Sequence, residues 1–117
     1  FCYFDYYQDE PETQPKAIGG YVPLGKAYAF EPIPDTLTAE QAKCIKGAQC
    51  NLWSEFIFTY DHAEYMLLPR LCALAETVWT PKERKDWSRF EATIPAQVHL
   101  LQQLGYNPCT TIGKLAN

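Results

Sequence analysis

The chain has 117 residues, 47% hydrophobic and 15% aromatic, which is ample material for one buried core and argues against a disordered tail. Ten basic residues stand against 14 acidic ones for a net charge of −4, and the basic residues are scattered, which argues against nucleic acid as a partner. No apolar run approaches the ~20 residues that cross a bilayer, and no basic segment followed by an apolar one resembles a signal peptide.

The sequence opens at Phe1, without an initiator methionine, directly on the aromatic run FCYFDYY. Residues 1–7 are read as a buried strand, and an upstream portion is expected to be missing. Two prolines in QDEPETQP turn the strand into an exposed loop. Pro23, Pro32 and Pro34 leave room for only a short helical turn around Leu24 to Phe30. Thr38 and Gln41 have capping-box spacing, which predicts a short helix through about Cys44. The segment 8–44 is thus a long loop with short helices.

Residues 45–55 lack helical periodicity and are read as a second strand. Asp61 then caps a helix over 61–79, with Ala63, Leu67, Leu71, Leu74 and Val78 on one face and enough further apolar residues to be packed on most sides. Pro69 should bend it. Thr80 and Glu83 form a second capping-box pattern around Pro81, opening a helix over 81–104 in which Trp87, Phe90, Ile94, Val98 and Leu101 recur at helical spacing. Pro95 interrupts or kinks that helix, and Gly105 suits a left-handed end. Trp79 and Trp87 are read as core residues.

Strand, loop, strand and helices in this order describe an α/β protein with parallel strands. Two strands do not make a parallel sheet covered on both faces, which again points to a missing N-terminal portion. The five cysteines, Cys2, Cys44, Cys50, Cys72 and Cys109, contain no C-x-x-C spacing and read as small buried thiols, with disulfide pairing left open. His62 and His99 lack ligand spacing, so neither a metal nor another cofactor is expected.

Two clusters lie at the C-terminal ends of the predicted strands: Tyr3-Phe4-Asp5 and Trp53-Ser54-Glu55. Strand alternation would point Tyr3 and Asp5 to one face, and likewise Trp53 and Glu55. An aromatic surface with carboxylates at its rim suits a sugar, whose C–H faces pack on the ring while its hydroxyls donate to the carboxylates. The spacing alone also fits core aromatics and loop caps, the commoner origin of such pairs.

The stretches GAQCNLWSE (Gly47 to Glu55) and AEYMLLPRLCALAETVWTP (Ala63 to Pro81) resemble the terminal segment of the family 20 β-N-acetylhexosaminidases. Tyr3-Phe4-Asp5, the Tyr7-Gln8 pair and KAYAFEP from Lys26 are similar to the same family's preceding strand and connection. The resemblance fades after about Gln102. It implies a (β/α)8 TIM barrel, of which residues 1–117 would supply about the last two strands and the closing helices of the catalytic domain. It also implies a retaining, substrate-assisted glycosidase in which the acetamido oxygen attacks the anomeric carbon.

On that resemblance Tyr3 would donate to the acetamido carbonyl, Asp5 and Glu55 would accept from hydroxyls around O4 and O6, and Trp53 would line the pocket. The expected partners are a glycan or amino-sugar oligosaccharide and the missing barrel portion, in an exported, periplasmic or lysosomal setting. The family's Asp-Glu catalytic pair is not matched: Asp9-Glu10 falls in a proline-bounded loop. The family's substrate-gripping Arg is likewise expected upstream, and Arg70 is read as serving a buried partner or carbonyls. Glu64 and Glu76 are read as structural. The alternatives are a non-catalytic carbohydrate-binding module and a structural or interaction domain.

Overall fold

The computed structural model describes residues 1–111, and the elements are helical. They are α1 (Leu24–Tyr28), α2 (Ala39–Ala42), α3 (Tyr60–Leu67), α4 (Arg70–Trp79) and α5 (Trp87–Gln103), with 3-10 turns at Pro11–Thr13 and Lys82–Arg84. Leu24, Ala27 and Tyr28 of α1, Ala73 and Leu74 of α4, and Phe90, Ile94 and Val98 of α5 share one core with Phe4 and Val22. Tyr28 sits at its centre, stacked on Phe90 at 4.7 Å and meeting Trp87 edge-on at 5.3 Å.

The two segments expected as strands form no regular strand among the described residues. Each contributes to isolated parallel bridges, Tyr3 with Asn51 and Tyr7 with Tyr21. Backbone bonds from Phe4 N to Asn51 O and from Asn51 N to Cys2 O, both 2.8 Å, fix the first pairing. A ladder does not grow from it, because the backbone turns immediately, Tyr6 N donating to Tyr3 O at 3.3 Å, and the next carbonyls are taken by a side chain. Arg70, fully buried, donates to the carbonyls of Phe4, Tyr6, Val22 and Met66. Burial pushes its guanidinium down to about 10, so it is still charged at neutral pH.

The helix expected over 61–79 is two helices. Pro69 offers no N–H and forces the residue before it into extended geometry, and Leu68 is extended at φ −103° and ψ 135°. The Leu68–Pro69 peptide is cis. The cap is Thr59 rather than Asp61, its hydroxyl accepting from His62 N at 3.1 Å. Only one face of α4 is covered: Ala73, Leu74 and Thr77 are buried, whereas Leu71, Val78 and Trp79 are exposed, Trp79 at 87%. Trp79 is therefore not a core residue here, while Trp87 packs half-buried against the core.

The capping box expected at Thr80 and Glu83 does not form. Thr80 closes α4, its N–H donating to Glu76 O at 2.9 Å, and the long helix starts later, where the Asp86 carboxylate accepts from Arg89 N at 3.0 Å. Pro95 lies within α5 without ending it. The expected box at Thr38 and Gln41 is present in both directions. Gly105 adopts φ +89° after the last helix, the left-handed geometry glycine permits.

Candidate functional site

The isolated Tyr3–Asn51 bridge holds the first segment against the second, and Asp5 and Trp53 follow it by two residues on either side. Both line a cleft with Glu55, and its other walls are Lys16, Ala17 and Ile18 from the long loop, Phe56 and Ile57 beyond Glu55, and His62 and Met66 from α3. The loop is held there by Ala17 N, which donates to the Tyr7 phenol at 3.1 Å. His62 and Met66 stand four residues apart, so α3 lays one face along the cleft.

Asp5 is buried, only 6% exposed, and its Oδ1 has no hydrogen-bond partner among the described residues. Such an acceptor costs free energy unless something fills it. Trp53 is 61% exposed and Glu55 is exposed at the rim. Among the described residues neither Asp5 nor Glu55 is in an ion pair. The Lys16 ammonium in the lining lies over the Phe56 ring at 5.1 Å, and the buried Arg70 guanidinium is close enough to Asp5 to feel its charge.

Tyr3 does not line this cleft. Its ring is 46% exposed and stacks on Tyr6 at 5.5 Å, because the turn after Tyr3 ends the alternation that would have put it beside Asp5. The structure thus brings together three of the four residues singled out in the sequence. Lys16, His62 and Met66 were not singled out as site residues. The spacing of His62 and Met66 is a usable signal, but the approach of Lys16 depends on a loop whose path sequence does not give.

The cleft has about 0 Å³ of room for a water molecule, against the ~300–1,000 Å³ of a complete small-molecule site. Asp9 and Glu10 are not among the residues lining the cleft and engage each other locally, Glu10 N donating to Asp9 Oδ1 at 2.9 Å. Among the described residues no three His, Cys, Asp or Glu side chains form a metal-binding group. All five cysteines are free thiols, with Cys109 buried but Cys44 exposed, unlike the expectation of burial throughout. Burial pushes up the thiols of Cys2, Cys50 and Cys72, which makes them poor nucleophiles.

Arg70 and the two other predicted structural groups have definite partners. Arg70 serves carbonyls, as expected. Glu76 pairs with Arg89 across α4 and α5, and Glu64 accepts from Asn107 N at 2.8 Å. None of the three reaches the cleft.

Residues 1–82 match the family model described as glycosyl hydrolase family 20, catalytic domain, and the chain belongs to that family. A β-hexosaminidase of Porphyromonas gingivalis is 46% identical over 88 residues, 75% of this chain and 11% of the relative. A β-hexosaminidase of Vibrio furnissii is 40% identical over 77 residues, 64% of this chain and 13% of the relative. The chain therefore spans little more than a tenth of these relatives' length. The fold is similar to that of a family 20 exo-β-N-acetylglucosaminidase from Vibrio harveyi solved with N-acetylglucosamine. That likeness has a TM-score of 0.77 and 34% identity over 92% of this chain and 17% of the other. Among the described residues, no helix is long and apolar enough to cross a membrane.

Proposed function

We propose that this chain supplies one wall of the sugar site of a retaining exo-β-N-acetylhexosaminidase acting on terminal β-linked N-acetylglucosamine or N-acetylgalactosamine. The observation that carries the reading is the convergence of buried Asp5, exposed Trp53 and rim Glu55 on one cleft. In this reading the chain is the C-terminal part of a (β/α)8 catalytic barrel. The uncovered side of α4, with Leu71, Val78 and Trp79 exposed, is where the rest of such a barrel would pack.

The Trp53 indole packs against the sugar near its acetamido group, and Asp5 and Glu55 accept from hydroxyls around O4 and O6. Tyr3 donates its phenolic proton to the acetamido carbonyl and aims that oxygen at the anomeric carbon. This needs the Tyr3 ring to leave its stack on Tyr6, or the site to extend past the cleft to where the ring now lies. The acetamido oxygen displaces the aglycone, and water then opens the cyclic intermediate with net retention, so no enzyme nucleophile is required. The general acid lies outside this chain, and protonation of the leaving oxygen contributes ~10²–10⁴-fold.

The test is hydrolysis of an aryl β-N-acetylglucosaminide followed by NMR. The intact protein carrying this sequence should release the β-anomer of N-acetylglucosamine first, and the 117-residue chain alone should give no turnover. Initial release of the α-anomer, or turnover by the isolated chain, would contradict the proposal.

A further inference from the structure

Two side-chain atoms in the cleft lining are sealed from solvent and lack a hydrogen-bond partner among the described residues: Asp5 Oδ1 and His62 Nε2. They differ in kind. The Asp5 oxygen of an ionised carboxylate only accepts, whereas an imidazole nitrogen either donates or accepts according to its tautomer. A single sugar hydroxyl carries one proton and two lone pairs, so one admitted by opening of the cleft, which leaves about 0 Å³ for a water molecule as it stands, would donate to Asp5 and accept from His62. An aliphatic or aromatic group entering the cleft would satisfy neither. His62 is also well held: Thr59 caps the first turn of α3 through His62 N, and Met66, one turn on, is buried against the same cleft.

We infer that His62 is a further substrate-binding residue of this site, donating from Nε2 to the hydroxyl that Asp5 accepts from. The inference rests on the hexosamine reading and adds to it a specificity determinant at the ring's far side. The imidazole fixes the direction of that hydroxyl, because donor and acceptor approach it from different elements, the helix α3 and the segment after Tyr3.

The experiment measures binding of N-acetylglucosamine and of its 4-deoxy and 6-deoxy analogues to the intact protein carrying this sequence, for wild type, His62→Ala, His62→Gln and Trp53→Ala. Loss of one hydrogen bond predicts that His62→Ala weakens N-acetylglucosamine roughly fivefold to tenfold. His62→Gln, which retains a donor, should recover part of that loss. Against the analogue lacking the contacted hydroxyl, His62→Ala and wild type should bind equally. The same loss against all three sugars marks a purely structural role and overturns the inference, as does an unchanged affinity. A wild type that binds none of the sugars overturns the hexosamine reading itself, whereas sensitivity to Trp53→Ala with indifference to His62→Ala overturns only the role given to His62.

Discussion

The Arg70 guanidinium lies 4.9 Å from the centroid of the Phe4 ring and also donates to the Phe4 carbonyl. One buried side chain thereby holds both the ring and the backbone of the residue preceding Asp5. Replacing it leaves the carbonyls of Phe4, Tyr6, Val22 and Met66 without this donor. Each such acceptor costs about 1–3 kcal/mol when left buried and unmatched. We predict that Arg70→Met destabilises the fold by roughly 3 kcal/mol or more, read from the shift in urea midpoint. Arg70→Lys should recover only a fraction, since one ammonium cannot span carbonyls on three segments. A loss below about 1 kcal/mol in Arg70→Met would contradict the clamp.

Gly20 sits at φ +66°, and a Cβ there would lie 2.3 Å from the Tyr6 ring. That ring supports Tyr3 by stacking. Gly20→Ala should cost roughly 1–3 kcal/mol from overpacking and left-handed strain. Adding Tyr6→Ala opens space for the new methyl and should restore part of the stability, so a double variant no more stable than Gly20→Ala would argue against the contact.

Burial raises Tyr65 from 10.0 to about 12, while its hydroxyl donates to Gln14 Oε1 at 2.6 Å. In the unfolded chain the phenol ionises near 10, so between pH 10 and 12 the folded state holds the extra proton. Its stabilisation is complete below pH 10 and is lost as pH rises through that window. Urea midpoints measured at pH 9 and pH 11 should fall more steeply for wild type than for Tyr65→Phe, the difference being reduced by solvent screening of the half-exposed phenol. Parallel pH dependence in the two proteins would remove Tyr65 from the account.

What the sequence made legible follows from how local each signal is. The Thr38–Gln41 box and the turn at Gly105 need only neighbours a few residues away, and both stand where their residue types place them. Arg70 was readable as a carbonyl-binding group because an arginine inside an apolar helix needs acceptors. The strands at 1–7 and 45–55 were not realised, since a parallel ladder depends on partners distant in sequence, and here Arg70 takes carbonyls that a ladder would use. Trp79 has apolar chemistry but no neighbour among the described residues to cover it, which periodicity cannot report.

For the candidate site, sequence reading carried as far as which residues share a cleft. Asp5, Trp53 and Glu55, expected at a sugar site from motif and position, lie in one cleft. Tyr3 was assigned to the same face by strand alternation, and the turn stabilised by Tyr6 N and Tyr3 O removes that alternation. His62 enters only through the fold, because its Nε2 acquires meaning from the Asp5 oxygen left unmatched in the same cleft.

The central claim is that Asp5, Trp53 and Glu55 form a hexosamine-binding wall. Its most direct test is calorimetric titration of the intact protein with N-acetylglucosamine, comparing wild type with Trp53→Ala. Trp53 is 61% exposed, so its removal should leave the urea midpoint nearly unchanged. The account predicts at least a tenfold loss of affinity in the variant, about 1.4 kcal/mol of binding free energy. Equal affinity of wild type and Trp53→Ala, with both folded, would contradict it.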